Sequence, residues 1–410
     1  MSFEASLDQA VLAHADAKDL GDLATRLGEV FPTHLLNRVI NLHRNGKLEN
    51  LRLAEPPQRQ PTYRPIDDGL PIPHPLDGDW RLDAASRERM TALLLGTSAG
   101  EKMLLLGVPT VFQRLFERAA RVTLVDGNPS LREALGSDGV ITANITRAEP
   151  AMRSAACVFA DPPWYPNRIN HFLWYAVACM SMHGTLYFSI PGVFTRPSVA
   201  DERVAFFEFA KQCGLEPIRL EPHALRYESP PFEIATLTAA GLPGFPPRWR
   251  SGDLVTFRKV HNLHAIRPER VAEVIWRRQS LGNVDIRFKV RAHDAFDPTP
   301  HALGESSVRL DVTSRDPLLE SVDVWTSGNQ IFRSSHPVLL ADLAELLNNG
   351  AADCEMIESK IGRRLLPHEW KCVRFAMAEL QRITFADATR GRAPSWDGSR
   401  DDTIRFENRT

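Results

Sequence analysis

The chain has no surplus of charge of either sign: 49 Lys and Arg stand against 51 Asp and Glu over 410 residues, a formal net charge of −2. No global field therefore draws it to nucleic acid, although a local basic face stays open. Cysteine is scarce. Cys157, Cys179, Cys213, Cys354 and Cys372 form no CxxC pair and no clustered Cys/His spacing. An odd, scattered set with three members in apolar runs predicts buried free thiols in a reducing cytoplasm. His368-Glu369 lacks the second His of a zinc protease, so no metal is expected. No apolar run approaches the roughly 18 residues that span a bilayer, and residues 1–6 lack a charged-then-apolar signal pattern. The expected setting is cytoplasmic, without a membrane. There is no internal repeat. What remains is an ordinary globular composition, 43% hydrophobic and 24% charged, long enough for two or three domains.

The most informative stretch is Ala156-Cys157-Val158-Phe159-Ala160-Asp161-Pro162-Pro163-Trp164-Tyr165. Residues 157–160 read as a buried strand of a parallel sheet. Asp161 then sits at the carboxyl end of that strand, where open α/β sheets hold their ligands. Neither proline has an N–H to continue a ladder, so both stiffen a turn whose carbonyls point outward. A carboxylate and a carbonyl can accept the two N–H bonds of a planar amino group while Trp164 or Tyr165 stacks on its plane.

The residues before this stretch supply a nucleotide-binding layout. Asp83 is a candidate N-cap for a helix over 83–95. A strand over 102–106 runs into Gly107-Val108-Pro109-Thr110, followed by a helix over 111–120 and a strand over 121–125 that ends at Asp126. A helix N-terminus offers N–H groups to a ligand, and an acid about 20 residues on accepts both ribose hydroxyls. A third strand over 139–144 ends at Asn144. Glycine turn, acid, polar turn and Asp161 thus close four successive strands.

Asp161-Pro162-Pro163-Trp164 resembles the catalytic signature of the amino-group methyltransferases, in particular the N6-adenine enzymes, within the class I, Rossmann-like, S-adenosylmethionine-dependent family. The resemblance covers about residues 83–260. It implies an α/β fold and S-adenosylmethionine as cofactor. Asp161, Pro162, Pro163, Trp164 and Tyr165 would form the catalytic site. Gly107, Pro109 and Asp126 would hold the cofactor, with Asn144 beside its adenine. The loop departs from the family pattern at two places: Leu105 occupies the usual acidic position, and Pro109 stands where a second glycine would be. Arg168, Asn170 and His171 in a polar loop over 165–171, and Arg196 in the next strand-end loop, are candidate substrate contacts. The substrate would be an amine or a nucleobase; nucleic acid finds no support in the net charge. A winged helix ahead of a Rossmann-like domain also resembles the branched-chain polyamine synthases, which transfer an aminopropyl group. A non-catalytic adaptor on the same fold is the alternative from a different class.

The flanks read as separate units. Residues 1–53 give three helices and a hairpin-like end over 48–53, a winged-helix pattern or a small helical cap. Residues 54–82 are a proline-rich linker whose 71–80 part, ending in Trp80, is placed to fold over the rim of the site. Within 83–260, a helix over 172–182 and strands over 184–190, 217–220, 234–239 and 254–260 are also expected, with the Pro-Pro-Phe-Glu loop at 230–233 bordering the pocket. Residues 261–385 read as an α+β domain able to recruit a protein partner. Its expected elements are helices over 268–278, 337–347 and 369–383 and strands over 284–290, 308–312, 322–326 and 330–333, with Trp276, Trp325 and Trp370 as core. Residues 386–410 are a polar tail.

Overall fold

The structure, a computed structural model, describes residues 2–54, 69–118, 121–136, 138–262, 265–270, 274–292, 296–303, 307–313, 315–350 and 353–389. About half of the linker, 55–68, and most of the polar tail, 390–410, therefore lie outside the described residues.

Three helices open the chain: α1 (Phe3–Ala13), α2 (Leu20–Leu27) and α3 (Pro32–Arg44). Asp19 caps α2 through the Asp22 N–H, and Gly28 ends it at φ 65°, a conformation glycine adopts without strain. Their apolar stripes bury Leu7, Leu20, Leu23, Leu35 and Val39 together with Leu237, Leu242, Phe245 and Trp249 from far along the chain. The hairpin-like end expected over 48–53 is instead a 3-10 turn, Leu51–Ala54, so no wing follows α3 among the described residues.

The next segment builds a seven-stranded sheet. Its elements are α4 (Ala84–Ser98), β1 (Met103–Leu106), α5 (Pro109–Phe116), β2 (Val122–Asp126), α6 (Ser130–Ala134), β3 (Val140–Thr142), β4 (Ala155–Ala160), α7 (Pro166–Cys179), β5 (Met180–Ile190), α8 (Val199–Gln212), β6 (Leu215–Arg226), α9 (Pro231–Ala239) and β7 (Ser251–Lys259). The strand order is β3-β2-β1-β4-β5-β7-β6. β1 to β5 are parallel, and β7 runs antiparallel to both β5 and β6. This is the α/β, Rossmann-like class expected from the sequence.

Strand alternation sends side chains to two cores. Leu104, Leu106, Val158, Phe188 and Phe257 pack on α7 and α8. Met103, Leu105, Cys157, Phe159 and Leu254 pack on α4 and α5. Leu105, where the resemblance leads one to expect an acid, is fully buried in the apolar core of that second face. The Asp83 carboxylate accepts from the Ser86 N–H at 2.8 Å and caps α4 as expected.

The remaining chain forms an antiparallel sheet in the order β10-β12-β11-β9-β8, from β8 (Trp276–Leu281), β9 (Val284–Lys289), β10 (His301–Ala302), β11 (Val324–Thr326) and β12 (Ile331–Arg333). It is backed by α10 (Pro337–Asn348), α11 (Cys354–Ile361) and α12 (Pro367–Thr389). Trp325 is buried, while Trp276 and Trp370 are partly buried at cluster margins.

Several expected elements change type. Residues 165–171 are not a loop but the start of α7, because Pro166 pre-sets the first helical residue; α7 ends at Cys179, and Met180 already belongs to β5. Residues 234–239 are helical, not a strand: Pro231 opens α9 in the same way. The helix expected over 268–278 is overturned at its end, where Trp276–Leu281 is an edge strand; residues 271–273 lie outside the described set. Arg277 pairs with Asp342 and Glu345, and Arg278 with Asp285, so ion pairs hold a strand that lacks an apolar alternation. Residues 308–312 reduce to one bridge, Val308 to Gln330.

Candidate active site

The register of the sheet places the key residues in one row. Leu106 pairs with Val125 and with Ala160, and Ala160 pairs with Phe188. The next residue on each of these parallel strands therefore stands at one level: Asp126 on β2, Gly107 after β1, Asp161 after β4 and Ser189 on β5. Gly107 has φ 70°, and a Cβ there would meet the Asp161 carbonyl oxygen at 3.1 Å and the Phe172 ring at 3.3 Å. Only glycine lets these strand ends approach so closely. Pro109 is the first residue of α5, where the missing N–H is one the helix does not use.

Asp161 is held on one oxygen. Its Oδ1 accepts from the Tyr227 hydroxyl at 3.0 Å and from the Ser189 hydroxyl. Burial pushes its carboxyl up to about 7 against these two bonds, with Asp79 adding to the rise. Trp164 Nε1 donates to Ser189 Oγ at 3.2 Å, and the Trp164 ring meets Tyr227 edge-on at 5.5 Å. A Cβ at Gly252 would run into the Trp164 ring, so that glycine seats the indole.

These groups open onto a cavity of about 510 Å³. Gly107, Asp161, Pro162, Pro163, Trp164, Tyr165 and Arg196 line it, as do residues not singled out as a site from sequence: Phe31, His34 and Asn37 around α3, Tyr227, Arg250, and Asp311, Val312 and Thr313 before the last helices. Trp80 and Phe232 also line it, one from the segment expected at the rim and one from the Pro-Pro-Phe-Glu loop. Trp80 meets Phe232 edge-on at 5.4 Å, and the Arg250 guanidinium lies 3.9 Å from the Trp80 ring centre. Arg250 pairs with buried Glu233 at 3.0 Å. Arg196 pairs with Glu202 and faces the Tyr165 ring at 5.8 Å.

The stretch 69–83 crosses between the two sheets. His74, fully buried, accepts from the Leu76 N–H on Nδ1, so its Nε2–H donates to the Trp325 carbonyl at 3.0 Å. Asp77 pairs with Arg287 at 2.6 Å, and Gly78 lies against Pro163. Arg81 and Asp83 bracket residue 227 by backbone bonds to Glu228 and Arg226.

Asp126 stands in the row but does not line the cavity. Its Oδ1 accepts from the Asn128 N–H at 2.8 Å, and burial, with Asp79 and Asp77 nearby, pushes it up to about 7. Asn144 lies in the turn after β3 and accepts from Thr146; it too lies off the cavity wall. Arg168, Asn170 and His171 lie on α7 rather than in a loop, and none lines this cavity. His171 is buried with Nδ1 2.9 Å from the Asn167 carbonyl, and Asn170 borders a separate 110 Å³ hollow. Glu29, His223 and Asp253 bring ligand-type atoms within 4.8 Å of one another beside the first helices. Both Asp253 oxygens are already engaged, by Arg203 and by the His223 N–H.

No protein-family profile matches the sequence, and no curated protein matches it either. The fold is similar to that of the branched-chain polyamine synthase from Thermus thermophilus, whose structure is known in complex with N4-aminopropylspermidine and 5'-methylthioadenosine. The TM-score is 0.50 at 16% identity, over 66% of this chain and 91% of that one. Other solved structures it resembles include a TehB-like SAM-dependent methyltransferase from Corynebacterium glutamicum, with TM-score 0.32 and 14% identity over 44% of this chain and 89% of that one. A third is the N-methyltransferase NodS from Bradyrhizobium japonicum, with TM-score 0.30 and 13% identity over 44% of this chain and 99% of that one. The likeness to the polyamine synthase agrees with the Rossmann-like fold that the strand order shows. No helix among the described residues is long and apolar enough to cross a membrane.

Proposed function

We propose that the protein is an S-adenosylmethionine-dependent transferase that places a carbon group on an amino nitrogen held at Asp161. The single observation that carries this reading is the row of strand ends in which Asp126, Gly107 and Asp161 stand side by side, derived from the sheet register. A nucleoside fits the chemistry of the first two. Asp126 offers a carboxylate for ribose hydroxyls from beside the cavity rather than from its wall, and Gly107 lines the cavity itself. Asn144 would lie towards the adenine. When bound, the cofactor supplies an electrophilic carbon on a positively charged sulfur.

The protein's own work is positioning. Asp161 and the Pro162 carbonyl accept N–H bonds from the amine and draw a conjugated nitrogen towards tetrahedral geometry. Trp164 and Tyr165 hold the plane of the acceptor. Raised towards neutrality, Asp161 can also take up the proton that the nitrogen sheds. Methyl transfer is the first reading. Aminopropyl transfer is the second, favoured by the extent of the likeness to the polyamine synthase, which spans 91% of that enzyme.

Calorimetric titration with S-adenosylmethionine, beside an Asp126→Ala control, tests the proposal. Micromolar binding that the control loses supports it. A folded protein that binds neither S-adenosylmethionine nor its decarboxylated form overturns it and leaves the adaptor reading, in which Asp161→Ala would change no function. Binding of the decarboxylated form alone would select aminopropyl transfer.

A further inference from the structure

Asp161 is bound in a lopsided way. Both hydrogen bonds to its carboxyl group among the described residues end on Oδ1. With Asp161 ionised, the donor and acceptor types assign the protons. Trp164 Nε1 is a donor only, so Ser189 Oγ must accept from it. The one hydroxyl proton of Ser189 is then free to go to Asp161. Burial and the neighbouring carboxylate hold the Tyr227 phenol well above its ordinary range, so it keeps its proton and donates as well. Both donors are fixed by the fold. Ser189 is the next residue after the Ala160–Phe188 pair, on the same side of the sheet as Asp161. Tyr227 donates its own N–H to the Arg250 carbonyl at 3.0 Å, and its chain neighbours bond to Arg81 and Asp83.

We infer that Ser189 and Tyr227 are positioning residues: together they pin Asp161 Oδ1, leave Oδ2 as the acceptor for the amino substrate, and, through Ser189, tie the Trp164 ring to the same carboxylate. The role as substrate acceptor rests on the transferase reading above; the hydrogen-bond chain itself does not. The stacking ring and the acceptor oxygen are thereby held in one rigid frame. The groups that face Asp161 are Ser189 from β5, Tyr227 after β6 and Asp79 from the crossing segment.

The test uses the full chain and needs no substrate. The 15N-indole signal of Trp164, one of eight tryptophans, is assigned by its loss in Trp164→Phe and followed from pH 5 to 9. It should titrate with Asp161 through Ser189 and stop titrating in Asp161→Asn. Ser189→Ala should abolish the movement. Tyr227→Phe should raise the midpoint by about one pH unit, the effect of losing one hydrogen bond to a charged group. Either variant suffices, and its spectrum reports whether it is folded. A Trp164 signal that titrates unchanged in both variants, or that still titrates in Asp161→Asn, overturns the inference. Absence of S-adenosylmethionine binding in the calorimeter would remove the transferase reading alone.

Discussion

Glu29 should make the protein lose stability as the pH rises, and the size of the effect follows from its surroundings. It lies just beyond α2, 5% exposed, where the first helices meet the seven-stranded sheet. Its Oε2 accepts from the Phe194 N–H at 2.6 Å, and its Oε1 lies 3.5 Å from His223 Nε2. Gly192 packs so closely that a Cβ there would overlap the carboxyl group. Burial pushes the group from 4.5 up to about 7, with Asp253 adding to the rise and the Phe194 N–H and Arg203 opposing it. Unfolded, the carboxyl ionises near its ordinary value; folded, it keeps its proton to about 7. Between those values the folded state holds more protons, so stability falls as the pH rises through that window and levels above it. At 1.36 kcal/mol per pKa unit the loss is at most about 3 kcal/mol. Gln at this position keeps the acceptor for Phe194 and has no charge. We predict that Glu29→Gln matches the natural chain at pH 5 and exceeds it by up to about 3 kcal/mol at pH 8.5, in urea unfolding. Asp161 and Asp126 add slopes of the same sign to both proteins, so the difference isolates Glu29. A variant equally or less stable at pH 8.5 would refute the reasoning.

Gly252→Ala should push the Trp164 ring off its seat, costing about 1–3 kcal/mol as an overpacked contact. Transfer should fall roughly tenfold or more while the calorimetric affinity for S-adenosylmethionine is kept; equal losses in both would place the effect elsewhere. The thiols should react unequally. Cys157, Cys179 and Cys213 are buried, with burial raising each thiol, to about 12 for the first and last. An aromatic disulfide reagent should therefore label exposed Cys354 first and the half-buried Cys372 more slowly, and reach the other three only on unfolding. Rapid labelling of any of those three in the folded chain would contradict the packing described.

Much of the Rossmann-like half was legible in the chain itself because its signals are local. Short apolar runs ending in Gly107, Asp126 and Asp161 mark buried parallel strands, and the carboxyl ends of such strands lie on one edge whatever the rest of the chain does. Asp83 as an N-cap, the three buried cysteines and the aromatics at Trp80 and Phe232 were readable for the same reason. Element type failed where a proline opened a helix inside a segment that reads as loop or strand, at Pro166 and Pro231. It failed again where ion pairs replaced apolar alternation, at Trp276–Leu281.

What only the tertiary structure decided is which distant residues close the site. Tyr227 reaches Asp161 across 66 positions of chain, and Ser189 across 28. Neither carries a sequence signal, since a serine on a strand and a tyrosine after one are ordinary residues until the register aligns them. The same holds for Phe31 and His34 at the start of the chain and for Asp311 to Thr313 near its end. Periodicity fixes which way a side chain points on its own strand or helix. The partner it meets is set by strand order and by packing between layers, which depend on the whole chain at once.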